Sequence, residues 1–422
     1  MAPLWLAAHA QSLADFALRS LAPEGGFGWL DDDGQIDRAQ GRPLWINGRM
    51  THVLALAERR LARPDCTSAV EHGVDALTSL FHDAPHGGWF NSVGWDGRPT
   101  VPGKGAYAHA FVILASASAL SAGHRRALPL LRDALDISTR YFWDETHQMI
   151  VDDWDTAFTE LDDYRGVNSN MHTVEAYLAA AEALEGVGDS ATATTLRQRA
   201  LSICDRVVNR ESRANGWRMP EHFDTEWHPI LDYNRANPAD QFRPYGATIG
   251  HGFEWARLCL QVFLSGSDSN RFVNTQSLAA QEQALGHSLN RVQVAVPDHP
   301  AWLADGALAL YSQALMDGWD VDGAPGFVYT IDWDGTPVVH ERMHWVICEA
   351  IGAAVAIRKA GLRDTTAQED AWWAFAESHF VDHERGSWHH ELDRGNQPSS
   401  TVWQGKPDIY HAIQAALASL GA

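Results

Sequence analysis

The chain has 422 residues, of which 45% are hydrophobic and 20% charged, a composition typical of a globular protein with a large core. Aspartate and glutamate number 54 against 32 lysines and arginines, so the formal net charge is -22. Such a charge is repelled by nucleic-acid phosphates and by anionic membrane surfaces. We therefore expect neither nucleic acid nor membrane among its partners.

The N-terminal segment MAPLWLAAHAQSLADF lacks a basic leader and predicts an amphipathic first helix rather than a secretion signal. The longest apolar run, 106–120, contains His109 and is shorter than the ~20 residues that a membrane span needs. The four cysteines are far apart, with no CxxC spacing, and are expected to be reduced core residues. These features predict a cytoplasmic protein.

A turn motif of glycine and aromatic residues, commonly followed by aspartate and a second glycine, recurs along the chain. Its six copies are GGFGW (25–29), GGWF (87–90), HQMI (147–150), NGW (215–217), GFVY (326–329) and RGSW (385–388). They start about 60 residues apart, except for one step of about 110, which fits repeats of one helix pair plus loops. The long step contains the polar segment 229–244 and the stretch 265–276, which we interpret as insertions.

Between the turn motifs the hydrophobic residues recur at helical spacing, as in Val70, Val74 and Leu77. Other segments, such as 348–357, are apolar or small on nearly every face, as expected of helices enclosed by a second layer. Six repeats and two classes of helix predict an all-α fold, an (α/α)6 barrel of six inner and six outer helices, with residues 1–422 forming one domain. The alternative is an open helical solenoid, which would need polar capping repeats at its ends.

The start of each buried helix is crowded with polar side chains. The six starts are WINGRM (45–50), KGAYAH (104–109), NSNMH (168–172), GHGFEW (250–255), RMHW (342–345) with Glu349, and KPDIYH (406–411). Buried charged or imidazole groups cost several kcal/mol unless they are paired or solvated. These starts therefore predict one shared, partly hydrated pocket, although asparagine and serine also cap helices and single histidines also occur as satisfied core residues.

The 18 tryptophans point to the ligand, because an aromatic face can stack on the apolar side of a sugar ring. Many tryptophans must also fill wide helix interfaces. The predicted substrate-binding residues are Asn170 and Tyr107, which belong to the polar helix starts, and Trp45, Trp345 and Trp388.

His251 and Glu254 are three residues apart on one helix face, so the carboxylate could orient the imidazole and raise its basicity. A metal site is the competing interpretation, but a di-iron bundle needs a second ExxH copy that the sequence does not provide. His389 and His390 are adjacent, so only one of them is expected to face the pocket.

Six segments together resemble a known family. They are PLWINGRM, NSNMHTVEAYL, GHGFEWARL, RMHWVICEAIGAA, WHHELDRGN and GKPDIYHAIQA. In this order, and over nearly the whole chain, they are similar to the N-acylglucosamine 2-epimerase superfamily, whose fold is an (α/α)6 barrel. The segments APGFVYTIDWDGTPV and RMHWV look more like the aldose–ketose isomerases acting on mannose or sulfoquinovose than like the epimerases of the superfamily.

The resemblance implies a catalytic set of Arg49, His172, His251, Glu254 and His390. The expected reaction is isomerisation of an aldose, with D-mannose to D-fructose as the expected pair, in which a histidine moves a proton from C2 to C1 through a cis-enediolate. No metal or cofactor is expected. Reprotonation of C2 from the opposite face would instead give 2-epimerisation.

Three further alternatives remain. Asp152, Asp153, Asp155 and Glu254 could serve an inverting glycosidase, or the barrel could be a non-catalytic sugar-binding scaffold. Arg243, in the polar insertion, could meet an anionic group such as the sulfonate of sulfoquinovose, or could pair with one of the many acidic residues. The oligomeric state stays open.

Overall fold

The computed structural model describes residues 3–265 and 300–421, in which twelve α-helices alternate between an outer and an inner layer. The outer helices are α1 (Pro3–Ala17), α3 (Thr67–Asp75), α5 (Ala127–Ile137), α7 (Ser190–Cys204), α9 (Trp302–Gly318) and α11 (Thr366–Phe375). The inner helices are α2 (Leu44–Arg60), α4 (Ala106–Ser121), α6 (Val167–Glu185), α8 (Ile249–Ser265), α10 (His344–Lys359) and α12 (Tyr410–Leu420). Four outer helices continue into π-helical turns at Ala76–Leu80, Ser138–Phe142, Asp205–Ser212 and Ala376–Phe380, and short 3-10 turns lie at Leu18–Ser20 and Pro64–Cys66.

The inner helices close into a ring. Each contacts the next along the chain, and α12 also contacts α2. This closure confirms the predicted (α/α)6 barrel and is incompatible with an open solenoid. The inner helices are buried on almost every side because their surfaces consist mainly of small and apolar residues, as in α4 and α10.

Short antiparallel strands tie neighbouring repeats together. The strands are β1 (Arg42–Pro43), β2 (Ser92–Val93), β3 (Pro99–Val101), β4 (Lys104–Gly105), β5 (Trp143–Asp144), β6 (Met149–Ile150), β7 (Asp153–Trp154), β8 (Arg165–Gly166), β9 (His222–Phe223), β10 (Ala247–Thr248), β11 (Thr330–Ile331), β12 (Pro337–Val339), β13 (Arg342–Met343) and β14 (Glu391–Leu392). In five repeats the strand before an inner helix pairs with the strand that follows the next turn motif, namely β1 with β2, β4 with β7, β8 with β9, β10 with β11 and β13 with β14.

The residue directly before the second strand of each of these pairs caps an inner helix. Its backbone carbonyl accepts a hydrogen bond, 2.9–3.1 Å long, from the first N–H of the helix in the preceding repeat. We call these residues the capping positions; they are Asn91, Asp152, Glu221, Tyr329 and His390. Because the backbone makes the cap, the five side chains are free to differ.

Each turn motif lies between an outer helix and the inner helix that follows it, as the repeat spacing predicts. In the first motif, the side chain of Asn47 accepts a hydrogen bond from the N–H of Phe27 at 2.7 Å and donates to its carbonyl at 3.1 Å. Gly26 has a φ of 69°, and a Cβ there would collide with Oδ1 of Asn47. Glycine therefore suits both the left-handed backbone and the close approach of the amide.

Several cations of the polar helix starts form buried ion pairs away from the barrel axis. The pairs are Lys104 with Asp83 at 2.8 Å, Arg342 with Asp322 at 2.8 Å and Lys406 with Asp382 at 2.6 Å. In each pair a residue just before an inner helix joins the segment that leads into a turn motif. These side chains therefore hold repeats together rather than line a pocket.

Further expectations concern the cysteines, a membrane span and the two predicted insertions. Cys66, Cys204, Cys259 and Cys348 are all buried and unpaired, as predicted. Among the described residues, each helix is too short or too polar to cross a membrane. Segment 229–244 is a loop between β9 and β10, whereas the stretch 265–276 lies outside the described residues except for Ser265.

Candidate active site

A pocket lies where the amino ends of the inner helices converge. Its lining consists of imidazoles, aromatic rings and a few charged groups. The residues are Arg49, Tyr107, Asn168, His172, Gln241, Phe242, Pro244, His251, Glu254, Tyr329, His344, Trp345, His390, Trp403, Pro407, Asp408 and His411.

Seven of the residues predicted from the sequence meet in this pocket. They are Arg49, Tyr107, His172, His251, Glu254, Trp345 and His390. They come from five of the six inner helix starts and from the capping position before β14. The prediction that the polar helix starts share one pocket therefore agrees with the structure.

Arg49 forms a buried ion pair with Asp408, whose Oδ2 lies 3.1 Å from Nη1 of the guanidinium. Its Nη2 donates to the hydroxyl of Tyr107 at 3.1 Å, and the guanidinium lies 4.5 Å from the ring centre of Tyr410. Although burial opposes ionisation, the charge of Arg49 lowers the pKa of Asp408. The pocket therefore contains a fixed cation that is paired with an ionised carboxylate.

Glu221, not Glu254, orients His251. Nδ1 of His251 lies 2.9 Å from Oε2 and 3.0 Å from Oε1 of Glu221, a residue at the capping position before β9. The predicted pairing of His251 with Glu254 is wrong, because Glu254 is one turn further along α8 and faces Arg257 instead. Since the carboxylate accepts the proton of Nδ1, Nε2 is the basic nitrogen of His251.

The ring of Trp345 supports His251 from the neighbouring helix. Its centre lies 5.2 Å from that of His251. The ring also packs against α8 so closely that a Cβ at Gly250 would collide with it. Gly250, the first glycine of the GHGFEW segment, therefore allows this close helix contact.

His390 faces the pocket and His389 does not, in agreement with the alternation expected of adjacent residues. Nε2 of His390 donates to the carbonyl of Asp408 at 3.1 Å, so Nδ1 is its basic nitrogen. Burial and the adjacent His344 hold the pKa of His390 well below its ordinary value. His389 is partly exposed, with Nε2 3.9 Å from Asp382.

Beneath the pocket, three carboxylates surround the guanidinium of Arg257. Glu349 lies 2.8 Å from it, Glu254 3.4 Å and Glu175 3.5 Å. Nδ1 of His411 donates to the other oxygen of Glu349 at 2.9 Å. We call Glu175, Glu254, Glu349 and Arg257 the carboxylate cluster.

Two sets of side chains in this region have donor atoms within 4.8 Å of one another. They are His172 with Glu175 and Glu254, and Glu254 with Glu349 and His411. Both sets include carboxylates that contact Arg257, so a divalent cation would lie next to a fixed positive charge. This arrangement disfavours a metal ion.

Asn170, predicted to bind substrate, does not line the pocket. Its amide is fully buried and clamps the third turn motif, because it accepts from the N–H of Ile150 at 2.8 Å and donates to the carbonyl of the same residue at 2.9 Å. A third hydrogen bond goes to the carbonyl of Gly166. Asn170 thus repeats the role of Asn47 in the first motif, and Asn168 lines the pocket instead.

Two tryptophans that were predicted to bind substrate, Trp388 and Trp45, do not line the pocket. Trp388 is fully buried outside the pocket, where its Nε1 donates to His9 at 2.8 Å and its ring packs on Trp373. Trp45 lies behind the pocket wall, with its ring centre 6.1 Å from those of Phe242 and Trp403. Both indoles fill space between structural elements rather than contact a ligand.

Arg243, predicted to meet an anionic group of the substrate, lies outside the pocket. Its guanidinium pairs with Asp153 at 2.8 Å and lies 3.8 Å from the ring centre of Tyr164, and it does not line the pocket. The insertion that carries it nevertheless supplies part of the wall through Gln241, Phe242 and Pro244.

The paired carboxylates of the glycosidase alternative are not assembled in the pocket. Asp152 accepts hydrogen bonds from Ser169 and Gly166, Asp153 pairs with Arg243, and Asp155 forms a turn with Thr159. Of the four candidates only Glu254 lines the pocket.

Several residues that line the pocket or hold one of its histidines were not selected from the sequence. His344, His411, Asp408 and Asn168 belong to the polar helix starts, so the signal for them was present. Glu221 and Tyr329 occupy capping positions, as His390 does, and aligning the repeats on the residue before the second strand would have identified them.

The fold and the pocket define an (α/α)6-barrel enzyme with a histidine-rich site. The family model of N-acylglucosamine 2-epimerase (GlcNAc 2-epimerase) matches residues 25–297 and 288–415. The chain belongs to this family, as its six motifs predict.

Curated relatives bear out the expected isomerase branch. The chain is 42% identical to a D-mannose isomerase from Thermobifida fusca, over 97% of this chain and 92% of the relative. It is 41% identical to a D-mannose isomerase from Pseudomonas cannabina pv. alisalensis, over 98% and 91% of the two chains.

Solved structures agree with this placement. A crystal structure of D-mannose isomerase superposes with a TM-score of 0.83 at 25% identity, covering 99% of this chain and 97% of the other. Cellobiose 2-epimerase from Spirochaeta thermophila has the same fold, with a TM-score of 0.77 at 20% identity over 99% and 96% of the two chains.

Proposed function

We propose that this protein is an aldose–ketose isomerase that interconverts D-mannose and D-fructose. The observation that carries the proposal is the presence in one pocket of two histidines from different repeats, His251 and His390, each with one ring nitrogen fixed as a donor. Each therefore offers a defined basic nitrogen to the ligand. Relatives with 41% and 42% identity that are named D-mannose isomerases support the choice of sugar.

In the proposed reaction the pocket binds the open-chain aldose, and His390 removes the proton from C2 to form a cis-enediolate. The same histidine returns the proton to C1, which gives the ketose. A positioned base of this kind contributes ~10²–10⁴-fold to the rate. Its low pKa keeps the imidazole of His390 in the neutral form that a base needs at neutral pH, although it also weakens the driving force for accepting the proton.

His251, held by Glu221, relays a proton between the two sugar oxygens. Arg49 and His172 stabilise the oxygen that becomes negative in the enediolate, an electrostatic contribution often worth several kcal/mol. Burial lowers the pKa of His172 to about 4, so this residue acts as a neutral hydrogen-bonding group rather than as a cation. Trp345 and Tyr329 provide aromatic surface for the sugar.

Incubation of the protein with D-mannose in deuterium oxide tests the proposal. We expect D-fructose as the main product, with deuterium at C1 wherever the proton on His390 exchanges with solvent before its return. D-glucose labelled at C2 without fructose would instead indicate 2-epimerisation.

The matched variants are His390→Asn and His389→Asn, which change adjacent residues on opposite sides of one segment. Only the first should abolish fructose formation, because only His390 lines the pocket. Equal losses in both variants would contradict the role of His390.

A further inference from the structure

The carboxylate cluster places three carboxylates around one guanidinium. Glu175, Glu254 and Glu349 are all at least nine-tenths buried, and Arg257 is the guanidinium that contacts all three. The nearby Arg49 is already paired with Asp408. Buried carboxylates that lack compensating charge take up a proton rather than remain ionised.

The hydrogen bonds show which of the three carboxyl groups is least stabilised in its ionised form. Glu349 accepts from Nε of Arg257 at 2.8 Å and from His411 at 2.9 Å. Glu175 accepts a very short hydrogen bond from the hydroxyl of Tyr410. Among the described residues, the polar contacts of Glu254 are long, with Arg257 at 3.4 Å and Nδ1 of His172 at 3.8 Å.

We propose that Glu254 is a neutral carboxylic acid in the resting protein, kept protonated because Glu175 and Glu349 hold the guanidinium of Arg257, and that it donates a hydrogen bond into the pocket. Glu254 lines the pocket, so its proton lies within reach of a ligand oxygen. Glu349 and Arg257 are then positioning residues that act through Glu254. The catalytic consequence rests on the proposed function, whereas the protonation state does not.

Charged and titratable groups face Glu254 from five neighbouring helices; the charges of Arg257 and Arg49 oppose its protonation, whereas burial and the charges of Glu349 and Glu175 favour it. The neighbouring helices present Arg49 from α2, Tyr107 from α4, His172 and Glu175 from α6, Glu349 from α10, and Tyr410 and His411 from α12. Burial and the charge of Glu349 raise the pKa of Glu254 well above its ordinary value. Burial also raises the pKa of Glu349, but its two short hydrogen bonds favour the charged form.

Infrared difference spectroscopy on the substrate-free, full-length protein tests the protonation state. At neutral pH the wild-type spectrum minus that of Glu254→Gln should contain a carboxylic acid C=O band that shifts down in deuterium oxide. Glu182→Gln, which changes an exposed carboxylate on α6, should leave the band in place. Asp152, whose pKa burial raises to about 7, contributes equally to both spectra and cancels.

Glu349→Gln tests whether Glu254 stays protonated because Glu349 holds the guanidinium of Arg257. Removal of this carboxylate frees Arg257 for Glu254, so the band should disappear at a pH at least about one unit lower than in the wild type. If protonated Glu254 is needed for isomerisation, activity falls as the pH rises through its pKa, and this alkaline limit should move down by the same amount in Glu349→Gln.

Absence of the band from the wild-type spectrum, or its persistence in Glu254→Gln, would overturn the proposal. An unchanged titration in Glu349→Gln would overturn the role of Glu349. Should that variant fail to fold, the wild-type band itself decides, because an ordinary glutamate is ionised at neutral pH. The infrared result needs no substrate, so it stands or fails separately from the isomerase assay.

Discussion

His390 stacks on His344, with ring centres 3.8 Å apart and ring planes inclined by 25°. The backbone N–H of His344 donates to the carbonyl of His390 at 3.0 Å, so one residue caps α10 and also covers its first side chain. The proposed base is therefore fixed by its backbone as well as by its ring.

This burial predicts an unusual acid limit for activity. A base must be neutral, so protonation of His390 limits kcat/KM only when the pH drops through its pKa, which burial and His344 hold well below the ordinary value of 6.5. We expect full kcat/KM at pH values at which an exposed histidine would already be protonated. A pH–rate profile with an acid limit at or above the ordinary histidine pKa would contradict this assignment.

His344→Phe separates the two causes of the low pKa. Phenylalanine keeps a ring against His390 but removes the second imidazole, so the pKa of His390 should rise and the acid limit should move to higher pH. Because burial is the larger cause, the shift should be small. The measurement is the same pH–rate profile, and a shift to lower pH would refute the contribution of His344.

Glu221→Gln should reduce kcat by roughly 10²-fold with a smaller effect on KM, because His251 loses the acceptor that selects its tautomer. Glu226→Gln is the matched control, since it makes the same change five residues away at an exposed position. Steady-state kinetics with mannose measure both variants. Equal kcat values for the two would show that Glu221 does not orient a catalytic histidine.

Asn170→Ala should lower the free energy of unfolding by about 1–3 kcal/mol, because it leaves buried polar groups of Ile150 and Gly166 without partners. Asn47→Ala should have a similar effect through Phe27. Denaturant unfolding measures the loss, and KM for mannose should be unchanged where the variants are folded. A large rise in KM without loss of stability would restore the original assignment of Asn170 to substrate binding.

Sulfoquinovose should be a poor substrate. Arg243 is paired with Asp153, and the guanidinium that lines the pocket, Arg49, is paired with Asp408. Within the part of the chain that the structure describes, a sulfonate would therefore lack a free counter-charge in the pocket. Since an unpaired charge costs several kcal/mol, we expect kcat/KM to be at least roughly 10²-fold lower than for mannose. A panel of free aldoses assayed for ketose formation checks this, and comparable values for both sugars would contradict it.

Helical periodicity and repeat spacing were sufficient to predict the barrel and the shared pocket. The starts of the six inner helices contain residues whose burial is unfavourable unless they meet at a hydrated site. This follows from the residue types alone, without knowledge of tertiary contacts. The resulting prediction that Arg49, His172 and His251 lie in one pocket agrees with the structure.

Individual partners could not be predicted in the same way. The i, i+3 spacing correctly placed His251 and Glu254 on one face of α8, but it could not show that a loop from the preceding repeat brings Glu221 closer. Similarly, an asparagine at a helix start can bind a ligand or clamp a turn, and Asn170 clamps one because the backbone of Ile150 lies within reach of its amide. Such choices depend on distances across the barrel.

The capping positions suggest how such a barrel can acquire new chemistry. At each of them the carbonyl secures the neighbouring helix while the side chain is left without a structural duty in that contact, so asparagine, aspartate, glutamate, tyrosine and histidine occupy equivalent places in one molecule. At Tyr329 and His390, which line the pocket, a substitution exchanges the functional group offered to the barrel centre and leaves the helix cap intact. Evolution or a protein engineer could therefore change the reaction one repeat at a time without rebuilding the scaffold.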